Sequence, residues 1–331
     1  MARGDLLKKL LVAYNRGEDK AFKEISMEII KDERKKNHNV LADQLQRILY
    51  SEHSTNRMFR DFTSLALVPK DDDEVPLIEI RKSNKYLDDL IISKDNKTIL
   101  NQILEEYWNS ERIKSYNLRP KLKLLFCGPP GCGKTLTAEV LAGELGLPIV
   151  YNRFDSIISS YLGDTASNIR KVFDFAKKDT WVLLFDEFDA IGKSRNDPNE
   201  HGELKRVVNS FLQILDSFVS NSLVIACTNH EGMLDTAIWR RFDEVIYFGP
   251  PSDDDIPLLI RKKTLGFHLG EINVENYIDQ LSGFTHADIE RICHEAIKAC
   301  ILKDKDYLTE DVFSQTIRNQ RRRLDIYRNE G

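Results

Sequence analysis

The stretch Cys127-Gly-Pro-Pro-Gly-Cys-Gly-Lys-Thr135 carries the order GxxxxGK[ST] between the apolar run LKLLF and the segment LTAEVLAGEL. Glycine leaves backbone N–H groups free to approach phosphate oxygens without interference from a Cβ, and proline restricts the loop before a ligand arrives. A strand before and a helix after is the setting in which such a loop holds a nucleoside triphosphate. The expected nucleotide-binding residues are Gly128, Pro129, Pro130, Gly131, Cys132, Gly133, Lys134, Thr135 and Leu136. Backbone amides and the helix N-terminus would hold the phosphates, Lys134 would neutralise β and γ oxygens, and the Thr135 hydroxyl would take a place on Mg2+.

A second chemical signal follows the apolar residues Val182 to Phe185, where Asp186 and Glu187 stand at the end of a predicted buried strand. Two adjacent acids there need separate tasks. Asp186 suits the Mg2+ shell, and Glu187 suits the polarising of a water that attacks in line with the γ-phosphate. The plainer alternative is an acidic cluster opening a loop that also contains Asp189.

These residues require a frame. From Lys121 to about Pro250, short apolar runs (LKLLFC, PIVYNRF, WVLLFDEF, SLVIACTN, EVIYF) alternate with helical segments. The pattern predicts a mostly parallel sheet covered on both faces, with ligands beyond the carboxyl ends of the strands. The expected fold class is therefore α/β: a P-loop NTPase parallel sheet sandwiched by helices. Residues 1–65 are read as an N-terminal helical region, 66–83 as a linker, 84–250 as the α/β nucleotide-binding part and 251–331 as a C-terminal helical subdomain.

In the first region, Leu6, Leu7, Leu10, Leu11 and Tyr14, then Ile25, Ile29 and Ile30, then Leu41, Leu45, Ile48 and Leu49 follow helical spacing. Packing against the rest of the chain and docking of a partner are both open for it. The acids Asp71 to Glu74, followed by Val75-Pro76, read as a solvated linker; VPLIEIR reads as a short strand and ILNQILEEYWNSERI as an amphipathic helix.

Bulk properties select little. The 331 residues are 41% hydrophobic and 31% charged, ordinary for a globular chain with a sizeable core, and the net charge of −5 argues against a generally basic nucleic-acid surface. Arg318, Arg321, Arg322 and Arg323 could form a local basic patch, but a charged helix face is the commoner origin of such a run. The chain has no apolar run of membrane-spanning length, and its opening MARGDLLKKLLVAYNRG is too polar for a cleaved signal peptide, so a cytoplasmic protein is expected. The five cysteines show no CxxC pair and no zinc spacing, which reads as reduced, mostly structural thiols.

GPPGCGKT, LLFDEFDAIG, the strand-end ACTN, TAIWRRFDEVIYFGPP and GFTHADIERICHEA, in that order, resemble the AAA subgroup of the AAA+ ATPases over roughly residues 84 to 320. The resemblance implies an ATP- and Mg2+-dependent hydrolase working as a homo-oligomer, most often a hexamer, with the C-terminal helices as a lid. It implies that Asn229 is a polar sensor positioning the hydrolytic water. Arg240 and Arg241 resemble arginine fingers reaching the γ-phosphate held by the neighbouring copy, the alternative for either being a salt bridge to Asp243. Within SSYLGDTASNIRKVFDFA, Tyr161 and Leu162 fit an aromatic-hydrophobic pore-loop tip that grips an extended polypeptide, against the alternative that Tyr161 packs under the next helix. The GKSRNDPNEHGE segment corresponds more weakly to a second pore-facing loop.

Three positions depart from the family pattern: Cys132 stands where threonine is common, His286 where glycine precedes Ala-Asp, and Lys263 where a histidine near the nucleoside is usual. A cysteine at a helix N-terminus is expected to have a lowered pKa, making the site thiol-sensitive. The lid helix shows no strong basic sensor, in keeping with the subgroup. The function expected from the resemblance is ATP hydrolysis in a ring, coupled to remodelling or threading of a protein, for a separate effector or protease. No HExxH motif is present. The alternatives are a nucleic-acid-linked motor and an ATP-controlled scaffold for a partner enzyme; a small-molecule kinase would need neither the arginine pair nor the trailing helices.

Overall fold

The structure is a computed structural model that describes residues 6, 9, 19–35, 68–153, 165–188, 201–229, 236–270 and 272–329. The chain divides into two compact units, Met1–Leu67 and Val68–Gly331. In the first, helix α1 (Asp19–Lys35) carries the expected helical spacing, with Ile30 buried against Phe22 and Met27. Leu7, Leu10, Leu11, Tyr14 and the series from Leu41 to Leu49 lie outside the described residues.

The second unit is built on six strands: β1 (Glu79–Arg81), β2 (Lys123–Cys127), β3 (Ile149–Arg153), β4 (Val182–Asp186), β5 (Leu223–Thr228) and β6 (Glu244–Tyr247). Their order across the sheet is β1-β3-β4-β5-β2-β6. The last five are mutually parallel, and β1 is added antiparallel at the edge of β3. A strand buried on both faces must be apolar at consecutive positions. LVIACT of β5 is buried throughout, as are the last four residues of KLLFC in β2 and the first four of VLLFD in β4.

Alternate residues of these runs serve different layers. Leu124, Phe126, Leu184 and Ile225 face α2 (Lys94–Trp108) and α4 (Lys134–Leu145), whose Leu100, Ile103, Leu104, Ala138 and Leu141 complete one core. A six-residue helix, α3 (Ser110–Ser115), follows α2. Phe185 points the other way. Its ring stacks on Phe173 of α5 (Thr165–Ala176) at 5.4 Å and meets Phe211 of α6 (His201–Ser217) edge-on at 5.3 Å.

Of the four acids at residues 71–74, Asp72, Asp73 and Glu74 are exposed and Asp71 is half-buried, and together they form an ordered turn. The Asp71 side chain accepts the N–H groups of Asp73 (3.1 Å) and Val75 (2.7 Å), and Lys70 bridges to Pro76. An Asx turn of this kind replaces repulsion between like charges with local hydrogen bonds.

After the short helix α7 (Thr236–Trp239) and β6, the chain turns helical: α8 (Asp255–Lys263), a 3-10 turn at Val274–Tyr277, α9 (Ile278–Leu281), α10 (His286–Ile301) and α11 (Glu310–Asn329). These helices enclose their own core, with Ile260, Leu281, Ile292, Cys293 and Phe313 buried. Thr285 and Asp288 cap α10 reciprocally, and Gln320 of α11 donates to the same Asp288. Arg318 is bound to Gln315, and Arg321 donates to the Gln280 carbonyl, so these two of the four C-terminal arginines serve contacts within the helical subdomain. Among the described residues, no helix is long and apolar enough to cross a membrane.

Candidate functional site

The carboxyl ends of β2, β4 and β5 converge because the parallel register sets Cys127 opposite Thr228 and Phe185 opposite Ala226. Residues 128–135, Asp186, Glu187 and Asn229 therefore leave the sheet at one edge. There a cavity of about 400 Å³ opens among them, lined on its other side by Ile91, Leu259 and the start of α10. That volume is in the range of small-molecule sites. Pro130, Gly131, Gly133, Lys134, Thr135 and Leu136 line it; Gly128, Pro129 and Cys132 do not.

The loop's shape depends on backbone that other residues would not adopt. Gly128 has φ of +134°, and an added Cβ would lie 2.1 Å from the Phe248 carbonyl oxygen. Phe248 in turn donates its N–H to Cys127 at 2.7 Å, so neither chain can withdraw. Gly128→Ala is expected to cost about 3 kcal/mol or more; a denaturant midpoint equal to that of the unmodified protein would contradict this. At Gly131, an added Cβ would meet Thr285 Oγ1 and Ala287 Cβ at 2.9 Å, and Ala287 donates its N–H to the Gly131 carbonyl at 3.0 Å. The C-terminal subdomain is thus joined directly to the loop.

Lys134 is buried, and its Nζ donates to the carbonyls of Gly128 (2.7 Å) and Pro129 (2.8 Å). These contacts place a cation inside the loop, where a phosphate would compete for it. Asp186 Oδ2 accepts from Thr135 Oγ1 and from Tyr151 Oη, both at 2.9 Å, while its Oδ1 accepts the Glu187 N–H at 2.9 Å. Burial and the adjacent Asp186 charge push the Tyr151 phenol well above its ordinary range. Glu187 sits in left-handed backbone with φ of +56°, a conformation that costs a non-glycine residue on the order of 1–3 kcal/mol. The buried Phe188 that follows donates its N–H to Cys227 at 2.9 Å and packs on Phe211, which holds the strained residue in place.

Thr135 and Asp186 present hard oxygen donors within hydrogen-bond distance of each other. That set fits Mg2+, which takes few protein oxygens and fills its shell with phosphate and water. The loop, the lysine and the cavity fit a nucleoside triphosphate.

Lining the same cavity, Lys263 pairs with Glu290 at 2.7 Å, and burial holds the His286 imidazole below its ordinary pKa. Lys262 donates to the Asp88 carbonyl and lies 3.7 Å from Asp89, a second tie between the helical subdomain and the segment before α2.

The expectation of an activated thiol is overturned. Cys132 is 1% exposed, and burial raises its pKa, with Lys134 only partly opposing. The helix N-terminus does not prevail because the side chain points into the core. Cys227 and Cys293 are raised by the same cause, Cys293 to about 12, and all five thiols are buried. The unfolded chain would release the Cys293 proton from about pH 9. The folded state keeps it, so this contribution to stability is full below pH 9 and falls as pH climbs toward 12. Each pH unit in that window should remove about 1.4 kcal/mol. Denaturant midpoints on either side of pH 9 check this; equal midpoints would refute it.

The two arginines separate. Arg241 Nε pairs with Asp216 of α6 at 2.9 Å, and Asp243 is instead occupied by the N–H groups of Leu122 and Lys123. Arg240 is exposed, and neither arginine is among the residues lining the cavity. Tyr161 and Leu162 lie outside the described residues, as does most of the GKSRNDPNEHGE segment. Two participants were missed from sequence: Tyr151, legible only once β3 is seen beside β4, and Lys262, which carries no motif.

The family described as "ATPase family associated with various cellular activities (AAA)" matches residues 124–250. The chain is 41% identical over 324 residues to an uncharacterised AAA family ATPase, y4kL, of Sinorhizobium fredii, covering 98% of this chain and 97% of that one. It is 31% identical to the ATP-dependent zinc metalloprotease FtsH 2 of a Thermoanaerobacter species, over 72% of this chain and 48% of that protein. It is also 31% identical to the peroxisomal ATPase pex6 of Schizosaccharomyces pombe, over 71% of this chain and 27% of that protein.

Proposed function

The chain belongs to the AAA family of ATPases and hydrolyses ATP, and from that premise we propose that it works as a ring of its own copies, a hexamer, that remodels or threads a protein substrate. The observation that carries the reading is that Lys134, Asp186, Glu187 and the strand-end Asn229 line the cavity but, among the described residues lining it, there is no arginine. Exposed Arg240 would complete the pocket of an adjoining copy.

In this reading residues 128–136 hold the triphosphate, with Lys134 exchanging its two carbonyl partners for phosphate oxygens. Mg2+, held by Thr135 and Asp186, would offset charge on those oxygens. Glu187 takes the proton of the attacking water and Asn229 orients that water. Loss of the γ-phosphate would be felt through the Ala287–Gly131 hydrogen bond, moving the helical lid against the sheet. Tyr161 and Leu162 would grip the polypeptide. The ATP-dependent protease among the relatives supports a protein as the substrate, delivered to a separate effector or protease. Buried reduced thiols and the net charge of −5 agree with a cytoplasmic protein that does not bind nucleic acid.

The test uses Glu187→Gln as an ATP-bound trap recovered from its native cell, with bound proteins identified by mass spectrometry. Specific proteins held with ATP and released with ADP are expected. Recovery of nothing above background with ATP would count against the reading.

A further inference from the structure

The side chain nearest the metal-binding acid that no motif supplies is Tyr151, on the strand next to β4. In the parallel β3–β4 register Tyr151 stands opposite Leu184 and Arg153 opposite Asp186. Tyr151 must therefore lean toward the carboxyl edge to reach the acid, and its Oη donates to Asp186 Oδ2 at 2.9 Å. With Thr135 on the same oxygen and the Glu187 N–H on the other, three donors fix the carboxylate's rotation.

The tyrosine ring is itself held. The Arg81 guanidinium lies over it, 4.8 Å from the centroid, and Glu79 grips that guanidinium in a two-pronged pair at 2.7 and 2.6 Å. Both residues belong to β1, where Glu79 pairs directly with Tyr151. A three-residue antiparallel edge strand adds little to the sheet's core, yet here it supplies a clamp one side chain away from Asp186.

We propose that Tyr151 is a positioning residue for the Asp186 carboxylate and that Arg81 of β1 holds its ring, so that the Mg2+ requirement for nucleotide binding is set in part from the edge of the sheet. This rests on the reading of Asp186 as a metal-binding group. Donors to metal-ligating carboxylates act by fixing their orientation, and removing one typically weakens metal affinity by about 10- to 100-fold.

The experiment measures binding of a fluorescent ATP analogue by wild type, Tyr151→Phe, Arg81→Met and Asp186→Asn, across a Mg2+ titration and in EDTA. For Tyr151→Phe, the Mg2+ concentration giving half of the metal-dependent gain in affinity should rise about 10-fold. Affinity in EDTA and the thermal midpoint should stay as in wild type. Arg81→Met should move the Mg2+ requirement the same way by about 2- to 5-fold, the size of an exposed cation–π contact. An unchanged Mg2+ requirement in Tyr151→Phe, or an equal loss of affinity in EDTA and in Mg2+, overturns the proposal. If Tyr151→Phe does not fold, the Arg81→Met shift decides. Failure of the underlying reading is seen separately, as a Mg2+ requirement that Asp186→Asn leaves untouched.

Discussion

Arg240→Ala is expected to lower ATP turnover by about 10³-fold or more while leaving nucleotide affinity near that of the unmodified protein. Phosphoryl transfer spreads negative charge over the oxygens of the departing group, and a guanidinium offers several donors to that charge at once. The chain's own pocket supplies Lys134 but no arginine among the described lining residues, and Arg240 is exposed beyond the end of α7. Arg241 differs because its Nε is already on Asp216 in the same chain. The pair is partly exposed, so Arg241→Ala should cost at most about 1 kcal/mol of stability. Steady-state hydrolysis beside equilibrium nucleotide binding separates the two variants. An Arg240→Ala protein that turns over at the unmodified rate would remove Arg240 from the mechanism.

Glu187→Gln should lower turnover by about 10²- to 10⁴-fold, the range associated with loss of a positioned proton acceptor. Glutamine keeps the size and hydrogen-bonding reach of the side chain but cannot take a proton from water. In the proposed reading the two acids divide their tasks by backbone geometry. Asp186 ends the strand with its carboxylate filled by Thr135, Tyr151 and a backbone N–H, whereas Glu187 is turned by its positive φ to line the cavity. ATP should still bind to Glu187→Gln, whereas Asp186→Asn should lose the Mg2+-dependent part of that affinity. Pre-steady-state hydrolysis checks the first statement; a Glu187→Gln protein that hydrolyses ATP as fast as the unmodified one would assign the proton acceptor elsewhere.

What was legible in the sequence was legible because one residue's neighbours along the chain settle it. Four consecutive apolar residues before Asp186, in a chain where such runs alternate with helical segments, fit a strand buried on both faces, and GPPGCGKT between strand and helix carries its own geometry. The remainder depends on contacts between distant segments. The three residues Glu79–Arg81 are too few to show a period, so their antiparallel pairing with β3 needs the sheet to be seen. The expectation for Cys132 followed from its place before a helix, but its direction into the core reversed the outcome. Asp243 lies two residues from Arg241 in sequence, yet strand β2 claims its carboxylate and Asp216 takes the arginine. Tyr151 has no motif at all; only the packing of β3 beside β4 brings its hydroxyl to Asp186.

The most direct measurement mixes two variants that the proposed reading expects to be inactive. Lys134→Ala lacks the loop lysine but keeps Arg240, and Arg240→Ala keeps an intact pocket but has no finger to lend. If each pocket is finished by the neighbouring copy, the mixture must hydrolyse ATP well above the sum of its separate components, because some interfaces then pair an intact pocket with an intact arginine. Activity no greater than that sum, in mixtures shown to co-assemble, would mean that every copy completes its own site.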